Sequence, residues 1–543
     1  MADSLKQLKD YIAKALNSHS PQNVYKQLLA HHWPEDAVKK VFSELNISFG
    51  EQKTQPHATD VLATYTIQLG NDIPVTVTIK TIKGEFVPIY NAETTGISKN
   101  TQLILEKIRQ ELIREVNIGM LDITDPKRAT YVEEKFSETS KKMIEKAFPD
   151  ASQETISLLN TFLLQKSLGL GNLEILRSDP DLEEIAINSA NEPVWVYHRK
   201  FGWLKTNIQL ESESQIKHYA SMMGRKVGRQ ITILAPMLDA NLRSGERVNA
   251  TLMPISHFGN TITLRKFASK PWTITDFIVT KTISSSAAAL IWEGIQYELS
   301  MLIVGGTASG KTSLLNVVSN FIHPNHRVIS IEDTRELKLP TFLHWVPLTT
   351  RFPNSEGKGE VSMLDLLVNS LRMRPDRILV GEIRRKREAE VLFEAIHTGH
   401  SVYATLHAND ALEAITRLTN PPISIPQHML PAVSMILAQH RNRRTGNRRV
   451  FQIAEILPDA SPNILMQLDV QKDDLIKKNE SKSYVNTLKL FTGINEGELQ
   501  QHLAEKERVL RWMVKRNINT VDEVGKIVAK YYLDPDSLFK VIK

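Results

Sequence analysis

The chain has 543 residues, 41% of them hydrophobic and 24% charged, which are the proportions of an ordinary globular protein. At about 150 residues per domain it is long enough for three or four domains, and the composition excludes a collagen, a coiled-coil rod and a wholly disordered chain. Lys and Arg total 67 against 61 Asp and Glu, so the net charge of +6 does not by itself indicate a nucleic-acid-binding protein. Cysteine is absent, which excludes disulfides, thiolate chemistry and Cys-ligated zinc.

The sequence does not predict a targeting or membrane-spanning segment. The first residues carry charge with no apolar segment behind it, unlike a signal peptide. No run reaches the roughly 20 apolar residues that a transmembrane helix needs. We therefore expect a soluble, cytoplasmic protein that would act at a membrane only through a partner or a surface contact.

The N-terminal third is predicted to combine helices with a β-hairpin. Val38, Val41, Phe42 and Leu45 recur at the spacing of one helix face, which predicts a small helical region over 1–50. Apolar residues alternate with polar ones on both sides of Gly70-Asn71-Asp72, which predicts a strand, a turn and a strand within 61–90. Helical patterns follow over 101–116 and 131–168.

Residues 171–267 mix short strands and helices, including strands at 193–197 and 261–264, and the pattern stops near Lys270-Pro271-Trp272, as in a linker. From about residue 283, helices, strands and a Gly-rich loop alternate, which predicts a mostly parallel sheet with helices on both faces. Residues 461–485 are polar and irregular. The C-terminal segment 496–543 is helical, with one apolar face made by Leu499, Leu503, Leu510 and Met513.

A phosphate-binding loop follows the apolar run at 301–304 and precedes a helical pattern. The pattern is G-x-x-x-x-G-K-[ST] between a strand and a helix. Its glycines allow backbone N–H groups to surround a phosphate, and the helix N-terminus adds partial positive charge. Lys311 is expected to reach the β- and γ-phosphates and Thr312 to ligate Mg²⁺. The predicted nucleotide-binding residues are Gly305, Gly306, Thr307, Ala308, Ser309, Gly310, Lys311, Thr312 and Ser313.

Three downstream segments indicate hydrolysis. Glu332 and Glu336 follow a β-branched strand, and Glu382 follows the apolar strand at 378–380, where a carboxylate can orient water and hold Mg²⁺ through a water molecule. His400 and His407 bracket a short strand and are candidates to sense the γ-phosphate. Taken singly, each acid could be a surface residue and each His structural. A zinc site is not expected, because neither HExxH nor Cys accompanies the histidines.

Together these blocks resemble the secretion ATPase superfamily of type II secretion, type IV secretion and type IV pili, in its Walker A loop (305–312), Asp box (332–336), Walker B segment (378–382) and His box (397–407). The archaeal branch, which includes the archaellum motor ATPase, is similar also at 181–185, 196–203, 245–250 and 263–267. The resemblance covers about 171–543 and leaves 1–150 unassigned. The lack of the four-cysteine module found in bacterial type II members favours the archaeal or pilus-like branches.

The resemblance implies a RecA-like P-loop ATPase domain with a mostly parallel sheet, preceded by an α+β N-terminal domain and flanked by helical segments. The expected regions are a helical region at 1–50, an extension at 51–170, the N-terminal domain at 171–270, a linker at 271–282, the ATPase domain at 283–460 and a helical region at 461–543. ATP and Mg²⁺ would bind between the domains of a homo-hexamer.

The family also implies roles for particular residues and partners. Glu382 would orient water, Glu332 and Glu336 would assist, and arginines would reach the γ-phosphate: Arg247 and Arg265 first, then Arg351, Arg372 and Arg384. The motor would power assembly of an archaeal pilus, an archaellum or a secretion filament. Its partners would be a polytopic membrane platform protein and pilin-like or archaellin machinery at the inner face of the cell membrane.

Two other functions remain open from the residues. A nucleic-acid translocase or packaging motor on the same core predicts ATPase activity that DNA or RNA stimulates with a steep salt dependence. A regulatory nucleotide-binding module predicts ATP binding with negligible turnover. The basic cluster Arg441, Arg443, Arg444, Arg448 and Arg449 has no interleaved aromatic residues, so stacking on bases is unsupported and nucleic acid is not the favoured partner.

Overall fold

The structure is a computed structural model that describes positions 9, 12, 24, 28, 38 and 40–42 singly, and the ranges 60–70, 73–94, 97–115, 126–242, 244–266, 271–353, 357–442 and 444–542. By contacts between residues the chain divides into two compact units, residues 1–64 with 78–91 and residues 65–77 with 92–543. In the helical region predicted over 1–50, Val38, Val41 and Phe42 are helical and buried, whereas Leu45 lies outside the described residues.

The described strands are, in chain order, β1 (Asp60–Leu69), β2 (Ile73–Thr81), β3 (Ile89–Thr94), β4 (Leu182–Ile187), β5 (Pro193–His198), β6 (Gly202–Gln209), β7 (Met237–Asn241), β8 (Arg247–Thr251), β9 (Thr261–Arg265), β10 (Met301–Gly305), β11 (Arg327–Glu332), β12 (His344–Thr349), β13 (Arg377–Val380), β14 (Ser401–Leu406), β15 (Met435–Arg441), β16 (Arg448–Ile456), β17 (Pro462–Asp469) and β18 (Asp474–Lys477).

The described α-helices are α1 (Lys99–Glu115), α2 (Pro126–Ala147), α3 (Gln153–Leu168), α4 (Leu173–Ser178), α5 (Glu213–Lys226), α6 (Ile274–Val279), α7 (Ser285–Gln296), α8 (Lys311–Ser319), α9 (Met363–Ser370), α10 (Lys386–His397), α11 (Ala411–Thr419), α12 (Tyr484–Thr492), α13 (Glu496–Lys515), α14 (Val521–Leu533) and α15 (Pro535–Val541). Short 3₁₀ helices cover Leu371–Met373 and Gln427–Ala432. None of the described helices is long and apolar enough to cross a membrane.

Within the larger unit, six strands form an antiparallel array in the order β6-β5-β4-β9-β8-β7. Their core residues alternate with more exposed ones, as in β8, where Val248 and Ala250 are buried and Asn249 is exposed. This alternation is typical of a sheet with one face packed on a core. The strands predicted at 193–197 and 261–264 are therefore confirmed as β5 and β9.

A second sheet has the order β12-β11-β13-β14-β10-β15-β16-β17-β18. The strands from β12 to β15 are parallel to their neighbours, whereas β15 to β18 pair antiparallel. Successive side chains of β10 enter different cores: Met301 and Ile303 join the one with α7, α8 and α13, and Leu302 and Val304 join the one with α10 and α11. A strand that is buried on both faces has a continuous apolar sequence, as β10 does. The predicted mostly parallel α/β fold is confirmed.

The structure differs from the sequence analysis between β16 and α12. Residues 461–485, predicted to be irregular and part of a helical region, contain β17 and β18, which extend the sheet at its edge. Most side chains of β17 are only half-buried, so its sequence lacks the apolar alternation of a core strand. The predicted linker at 271–282 contains α6, which begins with a capping box between Thr273 and Asp276.

Candidate functional site

The phosphate loop joins β10 to α8, and two of its positions require glycine: Gly305 has no room for a side chain, and Gly310 has a backbone conformation that other residues rarely adopt. A Cβ on Gly305 would lie 2.4 Å from Ser309 Oγ and 2.5 Å from the backbone oxygen of Gln439. Gly310, the residue before α8, has a φ of +98°, which only glycine adopts readily. The first turn of α8 closes with the Leu314 N–H donating to Gly310 O at 2.8 Å. The amides of the three preceding residues thus have no acceptor inside the helix and form an anion site.

Lys311 lies at the start of α8 and is 9% exposed. Its Nζ donates to the Gly306 backbone oxygen at 3.0 Å and lies 3.3 Å from Nδ1 of His407. Burial lowers the pKa of Lys311, and the nearby carboxylates of Glu382 and Glu336 partly oppose this shift. The lysine is thus a desolvated cation beside the loop, where a phosphate would stabilise its charge.

The acidic and histidine residues reach the same cleft because β11, β13, β14 and β10 are parallel, so their carboxyl ends lie at one edge of the sheet. Glu382 accepts bonds on both oxygens: Oε1 lies 2.9 Å from His407 Nε2, and Oε2 accepts from Arg384 Nη2 at 2.6 Å. Arg384 also pairs with Asp333. A carboxylate with both oxygens engaged is held in one orientation.

Glu332 ends β11 and is 2% exposed. Its Oε1 accepts the backbone N–H groups of Glu336 and Leu337 at 2.8 and 3.0 Å, and Oε2 has no partner among the described residues. Burial raises the pKa of Glu332 to about 7, against an ordinary value of 4.5. An unpaired carboxylate oxygen in a buried site is a natural ligand for a cation.

Three of the five candidate arginines line the cleft. Arg247 binds both oxygens of Asp239 at 3.0 and 2.7 Å, Arg265 lies 3.6 Å from Glu336, and Arg384 holds Glu382. Arg351 donates from Nε to the Gly359 oxygen at 2.6 Å and does not line the cleft, and neither does Arg372. The structure thus brings Arg247 and Arg265 to the acidic residues, although each faces a carboxylate.

The two histidines lie at opposite ends of β14. His407 follows the strand and contacts Lys311 and Glu382, whereas His400 precedes it and lies 3.2 Å from the Ala395 backbone oxygen. Because a strand of six residues is about 20 Å long, the structure does not bring His400 to the cleft. The direction of β14 decides which of the two histidines reaches the cleft, and the spacing of the two residues in the sequence does not reveal it.

The basic cluster lies at the turn between β15 and β16. Arg448 donates from Nε to the Ala308 backbone oxygen of the phosphate loop at 3.2 Å, and Arg441 donates to the Tyr197 hydroxyl at 3.2 Å. Arg449 pairs with Asp473 at 2.8 Å. Arg443 lies outside the described residues. These three contacts, made by Arg441, Arg448 and Arg449, are internal to the chain.

The phosphate loop, the acidic residues, His407 and the three arginines Arg247, Arg265 and Arg384 line one cleft of about 920 Å³ between the antiparallel array and the second sheet. A further contact between the two is made by Asn241 at the end of β7. Its Nδ2 donates to the Asp333 backbone oxygen at 2.6 Å, and its Oδ1 accepts from the Thr334 hydroxyl at 3.0 Å. The local sequence does not mark Asn241 as a site residue, because an asparagine at a strand end carries no pattern of its own.

Thr312 and Glu332 are the residues best suited to Mg²⁺. No group of three His, Asp or Glu side chains among the described residues forms a metal cluster. Mg²⁺ keeps several waters and needs few protein ligands, usually one or two oxygens together with substrate phosphates. The Thr312 hydroxyl at the start of α8 and the unpaired Glu332 Oε2 in the same cleft fit that requirement.

Comparisons with known proteins place the chain in a family. A family model described as type II/IV secretion system protein matches residues 217–479. A Methanocaldococcus jannaschii protein described as uncharacterized is 34% identical over 384 residues, 68% of this chain and 69% of that protein. The type IV secretion system protein PtlH of Bordetella pertussis is 31% identical over 310 residues, 51% of this chain and 91% of PtlH.

Among solved structures, the ATPase DotB of Legionella pneumophila is 18% identical and aligns with 68% of this chain and 95% of its own, with a TM-score of 0.37. The sequence matches are consistent with the resemblance drawn from the four blocks at 305–312, 332–336, 378–382 and 397–407. The chain belongs to the type II/IV secretion system protein family.

Proposed function

We propose that this protein is a Mg²⁺-dependent ATPase that powers a type II/IV secretion or pilus-type assembly machine. The observation that supports it best is a continuous line of polar contacts at the carboxyl ends of the parallel strands. Lys311 Nζ lies 3.3 Å from one nitrogen of His407, and the other nitrogen lies 2.9 Å from Glu382. The phosphate-binding lysine and the carboxylate suited to activate water are thus joined through one imidazole.

The loop and α8 would bind the triphosphate of ATP. The helix amides and Lys311 supply positive charge at the β- and γ-phosphates, and Thr312 and Glu332 would hold Mg²⁺. When bound, Mg²⁺ neutralises the charge that develops on the phosphate oxygens. Contact with a phosphate would draw Lys311 Nζ away from the Gly306 oxygen that it now binds at 3.0 Å.

Glu382 would orient the attacking water and accept its proton as the water oxygen bonds to the γ-phosphorus and the bond to ADP breaks. Both of its oxygens are engaged, by His407 and by Arg384. One of these contacts must therefore open before a water molecule can bind there. Arg384 also pairs with Asp333, and Asn241 of the antiparallel array donates to the Asp333 backbone oxygen. The position of the array can therefore influence whether Arg384 releases Glu382.

We propose further that Arg247 and Arg265 contact phosphate after the array, over 171–267, closes onto 283–460, and that this closure is the force-producing step. In this proposal the active form is a homo-hexamer at the cytoplasmic face of the cell membrane. It would pass force to a polytopic membrane protein of an archaeal pilus, an archaellum or a secretion filament. The family supports the motor class and the ATPase reaction.

The decisive experiment is phosphate release by the purified protein with Mg²⁺-ATP, compared with the variants Glu382→Gln and Lys311→Ala. Glu382→Gln should bind ATP and lose turnover by about 10²-fold or more, as expected for loss of an acid–base group. Lys311→Ala should lose nucleotide affinity. Turnover of Glu382→Gln at the unsubstituted rate would remove the role given to that carboxylate.

The same assay separates the alternative motor from the proposed one. A nucleic-acid translocase should show ATPase activity that DNA or RNA raises, with a steep dependence on salt. We expect no stimulation, because three arginines of the basic cluster, Arg441, Arg448 and Arg449, already bind within the chain and leave Arg444 as the exposed one among those described. ATP binding with negligible turnover in the assembled protein would instead favour the regulatory module.

A further inference from the structure

Gln439 is a buried side chain beside the phosphate loop to which the ATPase proposal gives no role. It lies in β15 directly opposite Gly305, the residue at which β10 ends and the loop begins. The residue is 1% exposed, and neither Nε2 nor Oε1 of its carboxamide has a hydrogen-bond partner among the described residues. Leaving such a group unpaired in an interior is unfavourable, so a second arrangement that satisfies it would be favoured.

The carboxamide is directed toward the loop. Strand side chains alternate between the two faces of a sheet, so Gln439 shares a face with Leu437, which packs in the core that includes α8. Its Nε2 lies 3.6 Å from the position that a Cβ would take on Gly310. The Gln439 backbone oxygen similarly lies 2.5 Å from the Cβ position of Gly305. Gln439 therefore lies next to both ends of the loop, with its backbone oxygen beside Gly305 and its carboxamide beside Gly310.

A β-bulge lies at the same point of the sheet. Ala438 pairs with Gln452 and Gln439 pairs with Val450, so Phe451 is the extra residue on β16. Bulges bend a strand locally, change the direction of nearby side chains and occur often next to active sites. The bulge is an observation independent of the unpaired amide, and it too indicates that Gln439 has a special placement.

We propose that Gln439 is a positioning residue for the phosphate loop, whose carboxamide hydrogen-bonds the loop backbone when the loop holds the phosphates of a nucleotide. Lys311 then leaves the Gly306 oxygen for a phosphate, and the loop carbonyl and amide groups rearrange beside Gln439. The new bonds stabilise the occupied form of the loop. Gln439 therefore contributes to nucleotide affinity without touching the nucleotide. This inference rests on the proposed nucleotide binding.

The test compares Gln439→Met with a matched control, Gln452→Met. Both glutamines are buried in adjacent strands, but the Gln452 amide is paired, with Gln467 Oε1 at 3.0 Å and with the Ala411 N–H at 3.2 Å. Methionine preserves the volume and removes the amide. The measurements are the dissociation constant of Mg²⁺-ADP for the full chain and the thermal midpoint without nucleotide.

For Gln439→Met we expect an unchanged or higher midpoint without nucleotide and ADP affinity weakened about fivefold, the value of one net hydrogen bond. Gln452→Met should show the reverse, a lower midpoint and unchanged affinity. This crossed pattern distinguishes a positioning role from a structural one. Equal ADP affinity in Gln439→Met and the unsubstituted protein would overturn the inference.

Two further outcomes are decisive. If Gln439→Met does not fold, Gln439→Leu is measured in its place, and failure of both variants to fold would also overturn the inference, because it would show that the amide is needed without nucleotide. If the unsubstituted protein does not bind ADP, and Lys311→Ala behaves identically, the proposed ATPase itself is wrong. ADP binding that is normal in the unsubstituted protein, lost in Lys311→Ala and unchanged in Gln439→Met would defeat only the role of Gln439.

Discussion

The His407 imidazole joins Glu382 to Lys311: its Nε2 lies 2.9 Å from Glu382 Oε1, and its Nδ1 lies 3.3 Å from Lys311 Nζ. Burial, and then the neighbouring Lys311 ammonium, lower the pKa of His407, so the ring is neutral at pH 7. A neutral ring with its proton on Nε2 donates to Glu382 and accepts from Lys311. This arrangement lets one residue orient both the phosphate-binding lysine and the carboxylate.

The first prediction concerns that orientation. His407→Ala should lower kcat by about tenfold to a hundredfold, because a misplaced catalytic group costs that much, with a smaller effect on KM. The matched control is His400→Ala at the other end of β14, which should retain the unsubstituted turnover. The measurement is steady-state phosphate release. Equal losses in the two variants would contradict the assignment of His407 to the site and of His400 to a structural role.

The second prediction concerns the pH dependence of stability through Glu332. Its pKa rises from 4.5 to about 7 on folding, so the folded chain retains the proton more strongly than the unfolded chain. This group therefore favours folding below about pH 4.5, and its contribution is lost as pH rises through 7. The glutamine in Glu332→Gln keeps a side-chain oxygen that can accept the backbone N–H groups of Glu336 and Leu337, and it does not titrate. Its stability relative to the unsubstituted protein should increase by about 3 kcal/mol between pH 4.5 and pH 8.

This pH effect is measured by chemical unfolding without Mg²⁺ at several pH values within that range. Glu360→Gln, at an exposed position, serves as the control for the loss of a surface carboxylate. A Glu332→Gln difference that stays constant from pH 5 to pH 8 would contradict the burial of an uncompensated carboxylate.

The third prediction concerns the contact between the two sheets. Asn241 donates to the Asp333 oxygen at 2.6 Å and accepts from Thr334, and Asp333 pairs with Arg384. In Asn241→Ala both contacts are lost, and each is worth about 1 kcal/mol, or about fivefold in rate. Turnover should therefore fall about fivefold or more, and the midpoint of unfolding should fall by only a few degrees, because the folded state loses the same two contacts. Asn249→Ala, at an exposed position of β8, is the control. Unchanged turnover in Asn241→Ala would show that the contact does not affect Glu382.

The fourth prediction concerns a buried ion pair that ties α13 to α7. Lys506 and Glu293 are both fully buried, and the Lys506 ammonium donates to Glu293. Lys506→Met should destabilise the protein by about 3–5 kcal/mol, because the buried carboxylate then keeps only the partly exposed His502, 3.2 Å away, as a basic neighbour. Adding Glu293→Leu should recover much of this loss. Lys515→Met, at an exposed position of α13, controls for the loss of charge. The midpoint of unfolding is measured for the unsubstituted protein, Lys506→Met, the double variant and Lys515→Met. A double variant that is no more stable than Lys506→Met would contradict the pairing.

Much of the site could be predicted from the sequence because its residues lie next to the elements that position them. Gly305 to Thr312 are contiguous, so strand, loop and helix N-terminus follow from local pattern alone. Glu332 ends an apolar strand, Glu382 and His407 each follow one, and parallel strands bring those ends to one edge. The roles of these residues in catalysis stay predictions, as do the domain boundaries drawn at 171, 271, 283 and 461.

Other features depend on contacts between residues far apart in the chain. His400 and His407 look equivalent in sequence, yet only the residue after β14 reaches the cleft. The sequence does not predict β17 and β18, because edge strands with half-buried side chains have no strong apolar period. Asn241 and Gln439 are ordinary residues in their own segments and become notable only through Asp333 and Gly310.

The phosphate loop, the parallel sheet and the family can be predicted from the sequence alone, because glycine conformation, apolar strand runs and the order of the four blocks are local properties of the chain. Which polar groups meet depends on the folded arrangement: His407 bridges Lys311 and Glu382, Arg384 engages Glu382, and an unpaired amide lies beside Gly310. These contacts arise from packing between distant segments, and such distances are not encoded in any single stretch of residues.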